Sequence, residues 1–441
     1  MSVNVSEERL AKMAKKTFLS MWAYENPYYS QGKELCDVLV VFGNDVVVIS
    51  DKFIKFSDSS GAEVGWRRWY KRAVESSISQ LQGAANQLRN FPERIYSDAN
   101  TSSLFPLDIP SKKDIRIHLV AVAHGCEDGC LKYVGASKLI VDGRHKGGET
   151  PFALGVNRTK SGDLVHVFNS QAIAAVFECF DTATDFVDYL RRKESALTSV
   201  DDELIWSEDD LIASYVMSQP GNKDFFLPIE SYPVVEGRKL VPFDYWEYYM
   251  ESDLRKERDK ERQSSYVVDG FIEQIAREYK AGELLAGQNQ PFPYHEQHLR
   301  LMASESRLGR QVISAALQSV VNEEPKTFWY CSVQSRCVQG LMYLWLVYPL
   351  VPDNVTDEEL EKNIFVHLQD YILVTQRQFP EAKMVFGICL PNAASTRKSM
   401  VFCLAGDIDW TDDMVDLARR TKEKYSLLKD VESFTIASRR L

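Results

Sequence analysis

The stretch ELCDVLVVFGNDVVVISDKFIKF, residues 34–56, decides the fold. Two β-branched runs, Val38–Phe42 and Val46–Ile49, flank Gly43-Asn44-Asp45. Such runs around a short Gly/Asn turn predict a β-hairpin. Both runs are apolar at every position rather than at alternate ones, so both faces of the hairpin are expected inside a core sheet. Beyond the second run, alternation puts Ser50 and Lys52 on one face and Asp51 on the other.

Upstream, Leu10, Met13, Phe18 and Met21 recur at a helical spacing, which predicts a helix from Glu7 to about Ala23. Downstream, the polar loop SDSSGAE leads to a second helix, Trp66 to about Asn90, and then to a strand over Ile115–Ala123. Residues 132–175 read as short strands between Gly-rich turns. Asp181–Lys193 reads as a capped helix, with Asp181 or Thr182 at its start and Arg191, Arg192 and Lys193 at its end. DDELIWSEDDLIASYVMSQ adds an acidic helix. The charged run 251–263 reads as a solvated helix with i,i+4 ion pairs, and helix continues to about Val321.

From Phe328 the pattern becomes strand, strand, helix, strand, strand, helix, strand, which is a separate α/β unit. The expected division is therefore 1–195, a connecting region 196–290, and a C-terminal α/β domain 291–441.

The length of 441 residues fits more than one domain. A hydrophobic content of 45% excludes wholesale disorder. The 52 Lys+Arg against 63 Asp+Glu give a net charge of −11, which argues against a histone-like coat or a polybasic membrane binder. The acid is concentrated, however, in Asp201–Asp210 and around Asp357–Glu361, while Arg67, Arg68, Lys71 and Arg72 stand together. A local nucleic-acid groove remains compatible with that balance. No run of about 18 apolar residues suggests a membrane span, and the charged N-terminus is not a secretory signal. Eight cysteines, several in apolar runs (Cys331, Cys389, Cys403), suit a reducing, cytoplasmic location.

Chemistry gathers around the hairpin. Glu34, Asp37 and Lys52 lie on or beside it. A carboxylate at the start of one strand and a Lys at the end of its antiparallel neighbour can converge. Metal-dependent phosphodiester cleavage needs hard oxygen ligands and a cation near the attacking water. The following helix carries Arg67, Arg68, Lys71 and Arg72 interleaved with Trp66, Trp69 and Tyr70, a pattern suited to a phosphate backbone.

The order helix, Glu34-x-x-Asp37 at a strand start, hairpin, Ser50-Asp51-Lys52, then a helix with SxxQLxGA resembles the PD-(D/E)XK nuclease superfamily. The nearest likeness is to its nuclease-related (NERD-like) bacterial members. The resemblance covers about the first 125 residues well and extends weakly to about 195. It implies a restriction-endonuclease-like mixed sheet with flanking helices and a Mg²⁺ (or Mn²⁺) cofactor. Asp37 would bind the metal, with Glu34 completing the site. Lys52 would position or activate water, and Gln80 would contact the site. The family carries a carboxylate two residues before its Lys, and here that residue is Ser50. Three arrangements follow: a site of Asp37, Glu34 and a backbone carbonyl near Asp51, a site with Asp51 as a migrated ligand, or a degenerate site.

The function implied is metal-dependent hydrolysis of nucleic acid, DNA favoured, in a bacterial anti-phage defence effector. The alternative is a degenerate scaffold or regulatory subunit that binds nucleic acid or a protein. The C-terminal domain would act as a sensor, partner-binding or dimerisation module, and no membrane partner is expected.

Other motifs are weaker. His124-x-Cys126-x3-Cys130 offers three zinc ligands without a fourth nearby and reads as a surface loop. His295-Glu296-Gln297-His298 lacks zincin spacing. There is no GxxxxGK[ST] phosphate loop and no GxSxG elbow. Glu305, Arg307 and Arg310 suggest an ionic helix surface.

Overall fold

The computed structural model describes residues 5–145, 147–200, 204–218, 232–284 and 289–428. It is mixed α/β and divides into two compact units, Met1–Asp259 and Lys260–Leu441.

In the first unit, helix α1 (Val5–Trp22) precedes strands β1 (Ala23–Glu25), β2 (Val38–Phe42) and β3 (Asp45–Phe53). Next come helices α2 (Ala62–Tyr70) and α3 (Ser76–Asn90), strand β4 (Arg116–His124) and helix α4 (Glu127–Val134). Strands β5 (Asn157–Arg158) and β6 (Leu164–Phe168) and helix α5 (Ser170–Cys179) follow. The six strands form one sheet in the order β1-β2-β3-β4-β6-β5. Neighbours β1, β2 and β3 are antiparallel, β3-β4 and β4-β6 are parallel, and β6-β5 is antiparallel.

The expected hairpin is β2-β3. Phe42 pairs with Asp45, so the turn is only Gly43-Asn44, with Gly43 at φ 59. The sheet interior is apolar on both faces because helices cover both: Val38–Val41 and Val46–Ile49 are all buried. One helix was expected over Trp66–Asn90. The structure has α2 and α3 joined without a break by a π-helical turn, Lys71–Glu75. Helix α1 carries an internal departure at Leu19, with φ 62 and ψ 161.

The chain reverses sharply after β4. Gly125 has φ 89, and a Cβ there would lie 2.5 Å from the Ile54 carbonyl oxygen. Its own carbonyl accepts from Phe56 N at 2.8 Å. Gly125→Ala is expected to lower the stability of this unit by about 1–3 kcal/mol, since no flexible side chain can yield there. A denaturation midpoint unchanged from wild type would refute it.

A five-stranded sheet completes the unit, in the order Val234–Val235, Arg238–Leu240, Leu204–Ser207, Ile140–Asp142, Ala153–Leu154. The expected division at 195 and 290 is thereby replaced: Leu204–Ser207 pairs with Ile140–Asp142, which ties residues past 200 to the N-terminal unit. The segment read as one acidic helix is that strand followed by a helix, Glu208–Met217. Its acids are not a solvated face. Glu208, Asp209 and Asp210 are buried, with Glu208 paired to Lys193 and Asp210 accepting from Lys138 at 3.0 Å. The charged run forms the expected helix, Asp253–Arg262, with an Arg255–Asp259 pair at 2.9 Å, but one face is not solvated: Arg255 also pairs with Glu178, Arg258 donates to the Cys179 carbonyl at 2.8 Å and Arg262 is buried.

The second unit opens with helices Tyr266–Ala281, Phe292–Ala303 and Arg307–Val321. A four-stranded sheet follows: Trp329–Gln334, Leu341–Tyr348, Met384–Pro391, Val401–Ala405. Its two central strands are parallel, linked by the helix Asp357–Gln378, as a crossover requires. Leu341–Tyr348 is buried along its whole length, as a central parallel strand must be. Among the described residues the last helix is Asp412–Tyr425, and the final strand expected after it lies outside them. Among the described residues no helix is long and apolar enough to cross a membrane.

Candidate functional site

Strand β3 carries different chemistry on its two faces, as its alternation predicted. Ser50 and Lys52 face α3. Ser50 Oγ lies 3.1 Å from Gln80 Oε1 and 3.4 Å from Ser77 Oγ, and Lys52 Nζ donates to Ser76 Oγ at 2.7 Å. Asp51 points to the opposite face, where Ser6 of α1 donates to its Oδ2 at 2.6 Å. No β-bulge rotates Asp51 towards Lys52, because β3 pairs with β4 in continuous register from Asp45 to Phe53.

Asp37 stands at the entry of β2, beside the end of β3. Its Oδ2 accepts the Asp51 backbone N–H at 2.5 Å, and its own N–H donates to Ile49 O at 3.1 Å. Burial pushes the carboxyl up to about 6, against the favourable Asp51 amide and helped by the charges of Glu7, Asp51 and Glu34. Burial also lowers Lys52, opposed by the Asp37 charge. The Asp37 charge therefore reaches Lys52.

The Asp37 shift fixes a pH dependence. A carboxyl raised in the folded state binds more protons there than in the unfolded chain, so its contribution to stability falls as pH rises from about 4 to about 6. Asp37→Asn keeps an acceptor for the Asp51 amide and removes the buried charge. It is expected to stabilise the unit by about 1–2 kcal/mol above pH 6, discounted for partial exposure, and by nothing near pH 4. Thermal midpoints recorded across pH 4–8 check this, and a pH-independent difference contradicts it.

Glu34 is not part of this group. It is exposed on the small hairpin Tyr28–Ser30/Lys33–Glu34 and accepts from Tyr28 OH at 3.2 Å. Gln80 meets Ser50, while the contact to Lys52 comes from Ser76 one turn earlier.

The metal expected at Glu34, Asp37 and Asp51 does not fit the side chains as placed. Both Asp51 oxygens are engaged by protein partners inside the fold, one Asp37 oxygen is held by a backbone amide, and the exposed Glu34 accepts from Tyr28. Among the described residues no group of three or more His, Cys, Asp or Glu side chains is arranged to hold a metal ion.

The basic, aromatic helix separates into two faces. Trp66, Trp69 and Tyr70 are buried, the two indoles stacked at 4.8 Å. Arg67, Arg68, Lys71 and Arg72 are all exposed. Their i, i+1, i+4, i+5 spacing gives one solvent-facing stripe, shared at its two ends with the exposed Glu63 and Glu75, and Lys52 meets the neighbouring Ser76.

The residues that sequence reasoning missed are the partners of Asp51. His124, at the end of β4, meets Asp51 Oδ1 through Nε2 at 2.5 Å and Ser170 Oγ through Nδ1 at 2.6 Å. Ser170 Oγ also lies 2.9 Å from Glu127 Oε1, whose Oε2 accepts Gly125 N at 2.7 Å. The sequence signal was limited to His124, read with Cys126 and Cys130 as a surface loop. Both cysteines are in fact buried at the start of α4.

Glu305, Arg307 and Arg310 are a further correction, since they are internal rather than an ionic surface. Both arginines converge on Asp269, and Glu305 accepts from Tyr343 OH at 3.2 Å. No family model, no curated protein and no solved structure matches this chain.

Proposed function

We propose that the N-terminal unit is a restriction-endonuclease-like module that holds the phosphate backbone of a nucleic acid, DNA favoured, and acts as a binding scaffold. The observation that carries this reading is the exposed stripe Arg67, Arg68, Lys71 and Arg72, whose helix leads to Lys52. Cations that neutralise phosphates release counterions, and this term supplies most non-specific affinity. The stripe is local, so the global charge of −11 does not cancel it. The order of helix, three antiparallel strands, helix and parallel strand supports the superfamily resemblance. The engagement of both Asp51 oxygens inside the fold supports the degenerate form.

A second reading, metal-dependent phosphodiester hydrolysis in a defence effector, draws on one observation. The Asp37 carboxyl, raised to about 6, stands where it feels Lys52, a pairing suited to a nuclease. One experiment separates the two. The full chain is incubated with plasmid, single-stranded DNA and RNA in Mg²⁺, Mn²⁺ or EDTA, and both retention and cleavage are scored. Retention without cleavage, unchanged in Asp37→Ala, supports the scaffold. Metal-dependent cleavage abolished in Asp37→Ala and Lys52→Ala establishes the nuclease instead. The C-terminal α/β unit is proposed as the sensor or partner-binding part of the same protein.

A further inference from the structure

The other face of β3 carries a second constellation. Asp51, His124 and Ser170 form a continuous hydrogen-bonded chain: Asp51 Oδ1 to His124 Nε2 at 2.5 Å, and His124 Nδ1 to Ser170 Oγ at 2.6 Å. All three line a cavity of about 400 Å³, walled on its apolar side by Leu10, Met13, Phe53, Val122 and Ile173. That volume is in the range of small-molecule sites. A nucleophile in reach of a base that is itself oriented by a buried carboxylate is the arrangement that activates a serine. We propose that this site is a serine-dependent acyl hydrolase centre for a small carboxylic ester with an apolar acyl chain.

Each residue has a defined role. Asp51 is buried, with its second oxygen accepting from Ser6, so its carboxylate is fixed in place. For this chemistry the His124 proton sits on Nε2, against Asp51, and leaves the lone pair of Nδ1 facing Ser170. Ser170 is partly exposed to the cavity. It is the first residue of α5, whose N-cap Asn169 takes the Ala172 amide at 2.8 Å, which leaves the amides of Ser170 and Gln171 as the opening donors without an acceptor inside the helix. Those donors favour negative charge developing beside Oγ. In the resting arrangement Ser170 Oγ donates to Glu127 Oε1 at 2.9 Å, so the hydroxyl proton turns from Glu127 to His124 Nδ1 for attack.

The reaction balances with water as the only co-reactant. Ser170 Oγ bonds to the acyl carbon while its proton passes to His124 Nδ1. The bond from the acyl carbon to the alkoxy oxygen breaks, and the alkoxide leaves as the alcohol with the proton from Nδ1. Water then adds to the acyl carbon, giving a proton to Nδ1. The acyl–Oγ bond breaks, Oγ regains that proton, and the carboxylic acid departs.

The test uses the full chain with a fluorophosphonate probe and with p-nitrophenyl butyrate. Intact mass and peptide mapping are expected to place one phosphonyl adduct on Ser170. Ser170→Ala is expected to abolish labelling, and His124→Ala to slow it about 100-fold or more, the usual contribution of a general base. Circular dichroism confirms that each variant is folded. Absence of adduct in the folded wild-type chain, or an adduct elsewhere that survives Ser170→Ala, overturns the proposal. That wild-type result stands whether or not the variants fold, and it is independent of the nucleic-acid assay.

Discussion

Asp269→Ala is expected to destabilise the C-terminal unit by about 3–5 kcal/mol, the cost of leaving a buried charge without its partner. Arg307 donates to Asp269 Oδ2 at 2.9 Å and to Oδ1 at 3.2 Å, and Arg310 donates to Oδ1 at 2.5 Å. The two arginine side chains are only 6% and 1% exposed, so water cannot replace the lost carboxylate. The remaining contacts of Arg310, to the Ala303 and Glu305 carbonyls, satisfy its donors without neutralising its charge. Asp269→Asn retains one acceptor and is expected to lose less. Hydrogen exchange of the Leu341–Tyr348 amides in the full chain reports the opening free energy of this unit. A loss below about 1 kcal/mol for Asp269→Ala would show that the arginines find other compensation.

Neutralising the α2 stripe is expected to have a comparably large effect on binding. With about −0.9 in the salt slope per phosphate neutralised on duplex DNA, four contacts contribute about −3.6. The part of the affinity owed to Arg67, Arg68, Lys71 and Arg72 then falls about 100-fold between 50 and 200 mM salt. The quadruple Ala variant should bind uniformly more weakly across sequences and lose that slope. Its fold should be untouched, because these four side chains are exposed while Trp66, Trp69 and Tyr70 hold the helix to the core. A fluorescence-anisotropy titration at several salt concentrations measures both quantities. An unchanged slope would remove the stripe from the interface.

Much of the N-terminal sheet was legible because its signals are local. The Gly43-Asn44 turn and its flanking runs specify β2-β3 over a few residues, and period-2 alternation alone put Asp51 opposite Lys52. Apolar periodicity also identified α1. Burial was harder to read. Glu208–Asp210 read as part of an acidic helix, and Arg307 and Arg310 as an ionic helix surface. Their neutralising partners Lys193, Lys138 and Asp269 come from other elements. A charge is affordable inside only beside its counter-charge, and sequence does not announce which distant side chain supplies it.

The sequence by itself thus determined a hairpin in a two-sided core, a cationic helix, a separate C-terminal α/β unit, and a Ser where the resembling family has a carboxylate. Only the tertiary structure decided what the acids do. Glu34 is exposed and bonds Tyr28 within its own small hairpin, and Asp37 is held by a backbone amide. Asp51 closes a chain with His124, 73 residues on, and through it with Ser170, another 46 residues on. The physical reason is range. Local spacing fixes which face of an element a side chain occupies. The sheet register of β3 against β4, and the seating of α1 and α5 over one face, fix which side chains meet there.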